Sequence, residues 1–265
     1  MFKKIFAIVL CLASFATFTG CGEDLKDETL PEYSQNTEVT SETQNNEIPQ
    51  TSTIGDYETI EFDDGMYLKK YLGDETIVTV PVVYNGITVQ GITGACFGEN
   101  TNIEKVIFPD EFGSIGKYSF ARCYKLKEVV LPKNLKTLPN GLFKDCEELA
   151  TVVMPDSIVD AGRGTFYGCK SLKKIEFNNT SFNEIDMTFA ANSGLETFIV
   201  PDGVVEISAN AFLGCENLKE IYIPASVEVI YSDVFAGCEN LTIYAPAGSH
   251  AELYAKECNI NFVVE

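Results

Sequence analysis

The residues of this chain with the widest chemical repertoire are its nine cysteines and its one histidine, and spacing decides which chemistry is open to them. Cys123, Cys146, Cys169, Cys215 and Cys238 fall in one column with a 23-residue step, and Asn100 and Asn192 take the other places in it. Thiolates could ligate a metal, pair as disulfides or act as nucleophiles. A metal site needs mixed ligands that converge, and His250 belongs to the closing segment of the chain, away from the column. A disulfide prefers about 3.8 Å between Cβ atoms, whereas residues repeating in step on stacked units point the same way at a spacing of about 4.8 Å. The column therefore reads as small inward thiols, with Asn as an alternative filler that can also donate to a loop carbonyl. His250 reads as a solvated residue of a turn. No nucleophile–base pair, paired-carboxylate motif, metal motif or phosphate loop is present. No catalytic residue, metal site or cofactor is assigned, and the chain is expected not to be an enzyme.

The elements that would position these residues follow from the same period. Phe97, Phe120, Phe143, Phe166, Phe189, Phe212 and Phe235 recur every 23 residues. Pro109, Pro132, Pro155, Pro201 and Pro224 keep that step, with Asn178 in the missing place. Ile103, Leu126, Leu149, Leu172, Leu195, Leu218 and Leu241 form another column, and Val106, Val129, Val152, Ile175, Phe198, Ile221 and Tyr244 a further one. Several columns locked to one period are the mark of a repeat architecture. In LGCENLKEIYIPASVEVIYSDVF, the Ile221-Tyr222-Ile223 alternation reads as a strand, and Pro224, which has no N–H to give a ladder, ends it. Val227 and Ile230 supply apolar contacts on the next side, and a tight turn carries Phe235. No unit can bury these side chains alone, so stacked neighbours must share one interior.

The pattern "IP..V..I...aF.gC..L..i.iP" over about Thr76 to Glu265 resembles the BspA-type, or treponemal-type, leucine-rich repeat of bacterial surface proteins. The resemblance implies a right-handed leucine-rich-repeat solenoid with parallel strands along one side and short helical turns. It also implies a part in adhesion to host proteins or other cells. Asp63-Asp64-Gly65 predicts a hairpin turn between Tyr57–Phe62 and Met66–Leu72, and Asn85-Gly86 marks a further turn. Ser249 to Glu252 spells a capping box, followed by a helix over Ala251 to Glu257 and a last strand in which Ile260, Phe262 and Val264 alternate. The expected layout is an N-terminal β cap with a first partial repeat over 57–96, a solenoid over 97–244 and a helix–strand cap over 245–265.

The first 56 residues differ in kind. Lys3 and Lys4, an apolar run from Ile5 to about Ala16 and small residues before Cys21 have the layout of a secretory signal over 1–20. Phe18-Thr19-Gly20-Cys21 resembles the lipobox of bacterial lipoproteins, with Phe18 where that pattern usually has leucine. The resemblance implies lipidation of Cys21 and an extracellular protein anchored in the cell membrane or, since Gly22 is not aspartate, the outer membrane. The stretch 21–56 has nine acids against Lys26 and no apolar period, and reads as a disordered acidic tether. The whole chain carries a formal charge of −20. That argues against nucleic acid, whose phosphates demand Lys and Arg, and against electrostatic attachment to anionic lipid. The membrane contact expected is the lipid on Cys21 alone.

The repeat also leaves positions that face outward. Between the inward apolar residues of each strand stand Ile107, Val130, Val153, Glu176, Ile199 and Tyr222. An apolar stripe with one acid in it fits contact with a protein better than a small-molecule pocket, although β-branched residues also suit strands for their own sake. Opposite charges in neighbouring repeats, such as Glu104 with Lys127 and Lys105 with Glu128, are expected to set register and solubility. Around Asn178 the inward pair Phe182 and Ile185 is slipped by one residue, which predicts a local bulge. The function expected is recognition of a host, matrix or neighbouring-cell protein through the sheet face. A structural or assembly role in the cell envelope is the alternative.

Overall fold

The computed structural model describes residues 51–177 and 182–265. The leader over 1–20, Cys21 and most of the expected tether lie outside them. The described residues begin with three antiparallel strands, β1 (Thr51–Ile54), β2 (Tyr57–Phe62) and β3 (Gly65–Tyr71). β1 pairs with β2 and lies within the last residues of the span read as tether. The turn between β2 and β3 falls at Asp63-Asp64, with Gly65 at φ 133°. β4 (Ile77–Thr79), β5 (Val83–Tyr84) and β6 (Ile87–Ile92) follow. Asn85 and Gly86 join β5 to β6 at φ 50° and 81°, the pair of left-handed residues a tight hairpin demands. β6 pairs parallel to β3, and the chain winds as a solenoid from there.

Short strands line the front: β4, then β7 (Lys105–Ile107), β9 (Glu128–Val130), β11 (Thr151–Val153), β14 (Thr197–Ile199), β16 (Glu220–Tyr222), β18 (Thr242–Ala245) and β19 (Asn261–Val264). Two-residue strands line the next side: β8 (Ser114–Ile115), β10 (Thr137–Leu138), β12 (Asp160–Ala161), β13 (Glu184–Ile185), β15 (Glu206–Ile207) and β17 (Val229–Ile230). The turns that carry the phenylalanines are joined from coil to coil as well, for example Phe97 N to Ser119 O at 2.9 Å and Phe120 N to Leu142 O at 3.0 Å. Backbone polar groups are thus matched along the stack, as burial requires.

Leucine-column residues Ile103 to Leu241 are all 2% exposed or less. The phenylalanines form one inner spine. Phe97, Phe120, Phe143 and Phe166 stack with centroids 5.2, 5.7 and 5.6 Å apart and planes within 11°, 13° and 21°. Phe189 breaks the stack, meeting Phe166 edge-on at 5.4 Å and 81°.

Hydrogen-bond register explains the break. Phe143 N bonds to Thr165 O, the residue before the next phenylalanine, but Phe166 N bonds to Phe189 O and Ala190 N to Ala211 O. Ala190, not Phe189, therefore occupies the phenylalanine slot of this coil. One extra residue falls between Phe177 and Phe182, and one fewer between Ser193 and Leu195, so the segment from Phe182 to Ser193 runs one position late. The slip expected at Phe182 and Ile185 is present and reaches further than those two residues. Volume that Ala190 cannot fill comes from neighbouring columns. Phe177, Phe182 and Phe198 crowd in, with Phe177–Phe182 at 4.5 Å, Phe189–Phe198 at 5.8 Å and Phe198–Phe212 at 5.1 Å. Both ladders are interrupted here: β11 ends one four-stranded front sheet, β14 begins another, and β12 and β13 fall in different sheets.

The closing helix α1 (His250–Glu257) starts one residue before the expected position. Ser249 Oγ accepts from Glu252 N at 3.3 Å, and the Glu252 carboxylate accepts from Gly248 N at 2.6 Å and from Lys256 at 2.6 Å. β19 then pairs parallel to β18, with Phe262 beside Ile243 on the inner side and Val264 exposed.

Candidate functional site: the front face

Strand alternation turns the middle residue of each front strand inward and leaves its two neighbours outward. The outward columns are Lys105, Glu128, Thr151, Thr197, Glu220 and Thr242 on one side, and Ile107, Val130, Val153, Ile199, Tyr222 and Tyr244 on the other. Val153 is 47% exposed and Ile199 56%, while Ile107, Val130 and Tyr222 are half-buried. Glu176 is exposed and ion-paired with Lys174 of its own coil. Lys174 to Phe177 form no strand, so Glu176 sits in the gap between the two sheets and divides the stripe.

Tyr244 is a correction. The 23-residue step places it inward after Ile221, but Ile221 pairs with Ile243, and Tyr244 lies beside Tyr222 on the outer face. The last coil is one residue short between Leu241 and its strand. The Thr242-Ile243-Tyr244 alternation carried that signal in the sequence. Tyr222 and Tyr244 stack at 4.7 Å and 15°. Val263, 44% exposed, extends the row beyond Tyr244. Partial burial raises the Tyr222 phenol above its ordinary pKa, and the nearby Glu220, Tyr244 and Glu265 push it the same way.

Coil-to-coil ion pairs flank the face. Lys105–Glu128 spans 2.7 Å, Glu104–Lys127 3.0 Å and Lys173–Glu196 3.2 Å. Water and salt screen these exposed pairs, so they serve register more than stability.

The thiol column faces the interior. Cys123, Cys146, Cys169 and Cys238 donate Sγ–H to the carbonyls of Phe97, Phe120, Phe143 and Phe212 at 3.0, 3.0, 3.1 and 3.3 Å. Cys215 bonds to Ala190 O at 3.1 Å, as the slipped register requires. Burial pushes Cys123 and Cys238 up to about 12 and raises the others, which keeps the thiols protonated and unreactive. The Asn places need correction. Ser193, not Asn192, fills the thiol slot of the slipped coil, 3.4 Å from Cys215 Sγ. Asn192 instead takes the left-handed position held by Gly168 and Gly214 in the neighbouring coils. Asn100 does not donate to a loop carbonyl; its Oδ1 accepts from the backbone of Asn102 and Ile103, both at 2.9 Å. Among the described residues no three His, Cys, Asp or Glu side chains are grouped to hold a metal ion. No described helix is long and apolar enough to cross a membrane.

Comparison with known proteins agrees with this architecture. A family model described as the BspA type leucine rich repeat region matches in six copies over residues 90–189 and 113–242, more than half of the chain. The leucine rich repeat protein of T. pallidum is similar in fold, at 20% identity and a TM-score of 0.53, over 81% of this chain and 98% of that one. The pneumococcal vaccine antigen PcpA matches at 19% identity and a TM-score of 0.49, over 79% of this chain and 48% of its own. A leucine rich cell surface protein from Faecalibacterium prausnitzii matches at 19% identity and a TM-score of 0.30, over 79% of this chain and 98% of its own. No curated protein sequence matches.

Proposed function

Since the chain belongs to the BspA-type leucine-rich-repeat family, we propose that it is a cell-surface recognition module that binds a host, matrix or neighbouring-cell protein through the front face of its solenoid. The observation that carries this reading is the row of apolar side chains left outside a ladder whose own hydrogen bonds are satisfied. Val153 and Ile199 are exposed, and Tyr222 and Tyr244 follow Ile199 as a stacked pair. Exposed apolar rows of this kind mark interaction surfaces, and tyrosines placed centrally supply much of the energy of such contacts.

In this reading residues 1–20 direct export, Cys21 carries the lipid, and the stretch up to residue 50 spaces the folded part from the membrane. The β1–β3 strands and the α1–β19 pair close the two ends of the stack. Several acyl chains, each contributing about 0.8 kcal/mol per buried CH2, make a firm anchor.

The test is adhesion by bacterial cells displaying the full chain to matrix-coated surfaces, epithelial layers and other bacteria. Ile199→Ser with Tyr222→Ser should lower adhesion by about tenfold or more at equal display and unchanged melting temperature. Undiminished adhesion by the folded double variant refutes the face. The anchor has its own check: Cys21→Ala should leave the membrane fraction for the medium, and a variant that still sediments with membranes refutes lipid attachment.

A further inference from the structure

Charge is segregated along the solenoid, and the division coincides with the slipped coil. Residues 90–177 contain 12 Lys and Arg against 11 Asp and Glu. Residues 182–265 contain only Lys219 and Lys256 against 13 Asp and Glu. In the first stretch acids and bases alternate between coils and pair. In the second, Lys256 is engaged by Glu252 within α1, and the acids of the coils have almost no cation of their own.

This excess meets the apolar row on the front of the second sheet. Ile199, Tyr222, Tyr244 and Val263 form a continuous column across β14, β16, β18 and β19. Beside Tyr244 lies a shallow recess of about 470 Å3, lined by Glu216, Asn217, Lys219, Glu220, Asn240 and Thr242. Glu220 stands next to Tyr222, whose hydroxyl lies 3.5 Å from its carboxylate, and Glu265 adds charge from the end of β19. Lys219 lies in the recess but is outnumbered there by Glu216 and Glu220.

Resting on the reading that the front face is the binding face, we propose that its C-terminal half takes an extended segment of a partner protein in which apolar residues alternate with arginine or lysine. An extended chain presents side chains at period two. Apolar side chains can therefore lie along Ile199 and the tyrosines while cations reach the recess and Glu220. A guanidinium suits this place, since it pairs with carboxylates through a planar fork and also packs on aromatic rings. Complementary charge speeds the encounter and selects the partner, and the apolar row holds it.

The probes are three fluorescent octapeptides, alternating Arg with Val, Glu with Val, and Arg with Ser, titrated against the purified full chain by anisotropy. The Arg/Val peptide should bind at least about tenfold more tightly than either control, and salt near 0.3 M should weaken it severalfold. Glu216→Gln with Glu220→Gln should cost about tenfold, as should Ile199→Ser with Tyr222→Ser. Equal binding of the Arg/Ser peptide would show plain charge attraction and overturn the proposal, as would indifference to the Glu216 and Glu220 changes. If Ile199→Ser with Tyr222→Ser abolishes cell adhesion but no peptide preference appears, the face stands and the cationic partner falls. If the Arg/Val peptide binds that variant undiminished, the cationic site is not on this face.

Discussion

The regular coils and the slipped coil between them solve one packing problem in two ways. From Phe97 to Phe166 the rings stack in register, and the thiols of Cys123, Cys146 and Cys169 each bond to the phenylalanine carbonyl of the coil before. In the slipped coil the interior is a mosaic. A small residue holds the ring slot, three rings from other columns fill the space, and Ser193 stands in for a thiol. Beyond it Phe212 and Phe235 stack again at 5.6 Å and 18°. A solenoid is close to one-dimensional, so each coil answers only to its neighbours. A one-residue slip is then tolerable if total volume is restored locally. Relaxed identity leaves the outer surface free to differ too, and that is where the charge changes sign.

The largest effect should come from alkali. Buried thiols that stay protonated in the fold ionise once unfolded. With folded values raised to about 12 for Cys123 and Cys238, their stabilisation is complete below the ordinary thiol range near 9 and is lost as pH rises toward 12. Each thiol should cost roughly 1 kcal/mol per pH unit over that window, so the melting temperature should fall steeply above pH 9. Replacing Cys123, Cys146 and Cys169 with Ser, the residue the slipped coil already uses, should lower stability at pH 7 but flatten the alkaline slope. An unchanged slope in urea titrations at pH 8 and 10.5 would mean the column does not control it.

Next in size is ring removal. Phe143→Ala deletes a fully buried ring between two stacked partners and should cost about 3–5 kcal/mol by chemical denaturation. Phe198→Val restores the residue type common in its column, yet it should cost about 2–3 kcal/mol, because Ala190 leaves the space that Phe198 fills. Adding Ala190→Leu should recover part of that loss. Additive costs in the double variant would remove the volume argument for the slipped coil.

Much of this was legible in advance because period is a global property. Seven phenylalanines at one step required a shared interior, and the rings do line it. Asn85-Gly86 and Ser249 announced their turn and helix start through local chemistry alone. The errors share one cause. Counting by 23 assigns Phe189, Asn192 and Tyr244 to slots by number, whereas backbone hydrogen bonds assign them by register, and a residue gained in one turn and lost in the next leaves the count intact. Tyr244 matters most, since the error hid half of the tyrosine pair. The outward stripe could be placed from strand alternation. Its division at Glu176 could not, because loss of one strand from a ladder depends on how neighbouring coils pack rather than on Glu176 itself.

The smallest effect tests whether the ion pairs of the first stretch do more than balance charge. Lys105 and Glu128 face each other on adjacent strands at 2.7 Å, and each side chain is about a third exposed. Water and salt screen such a pair, so Lys105→Gln should cost less than about 1 kcal/mol. The change leaves the first stretch with an uncompensated Glu128 beside Val130, which gives it locally the character of the second. If acid next to an apolar outward residue is what attracts a basic segment, the variant should gain weak, salt-sensitive binding of the alternating Arg/Val peptide. Unchanged binding would mean that the tyrosine pair and its recess, which the first stretch lacks, are required as well as the charge.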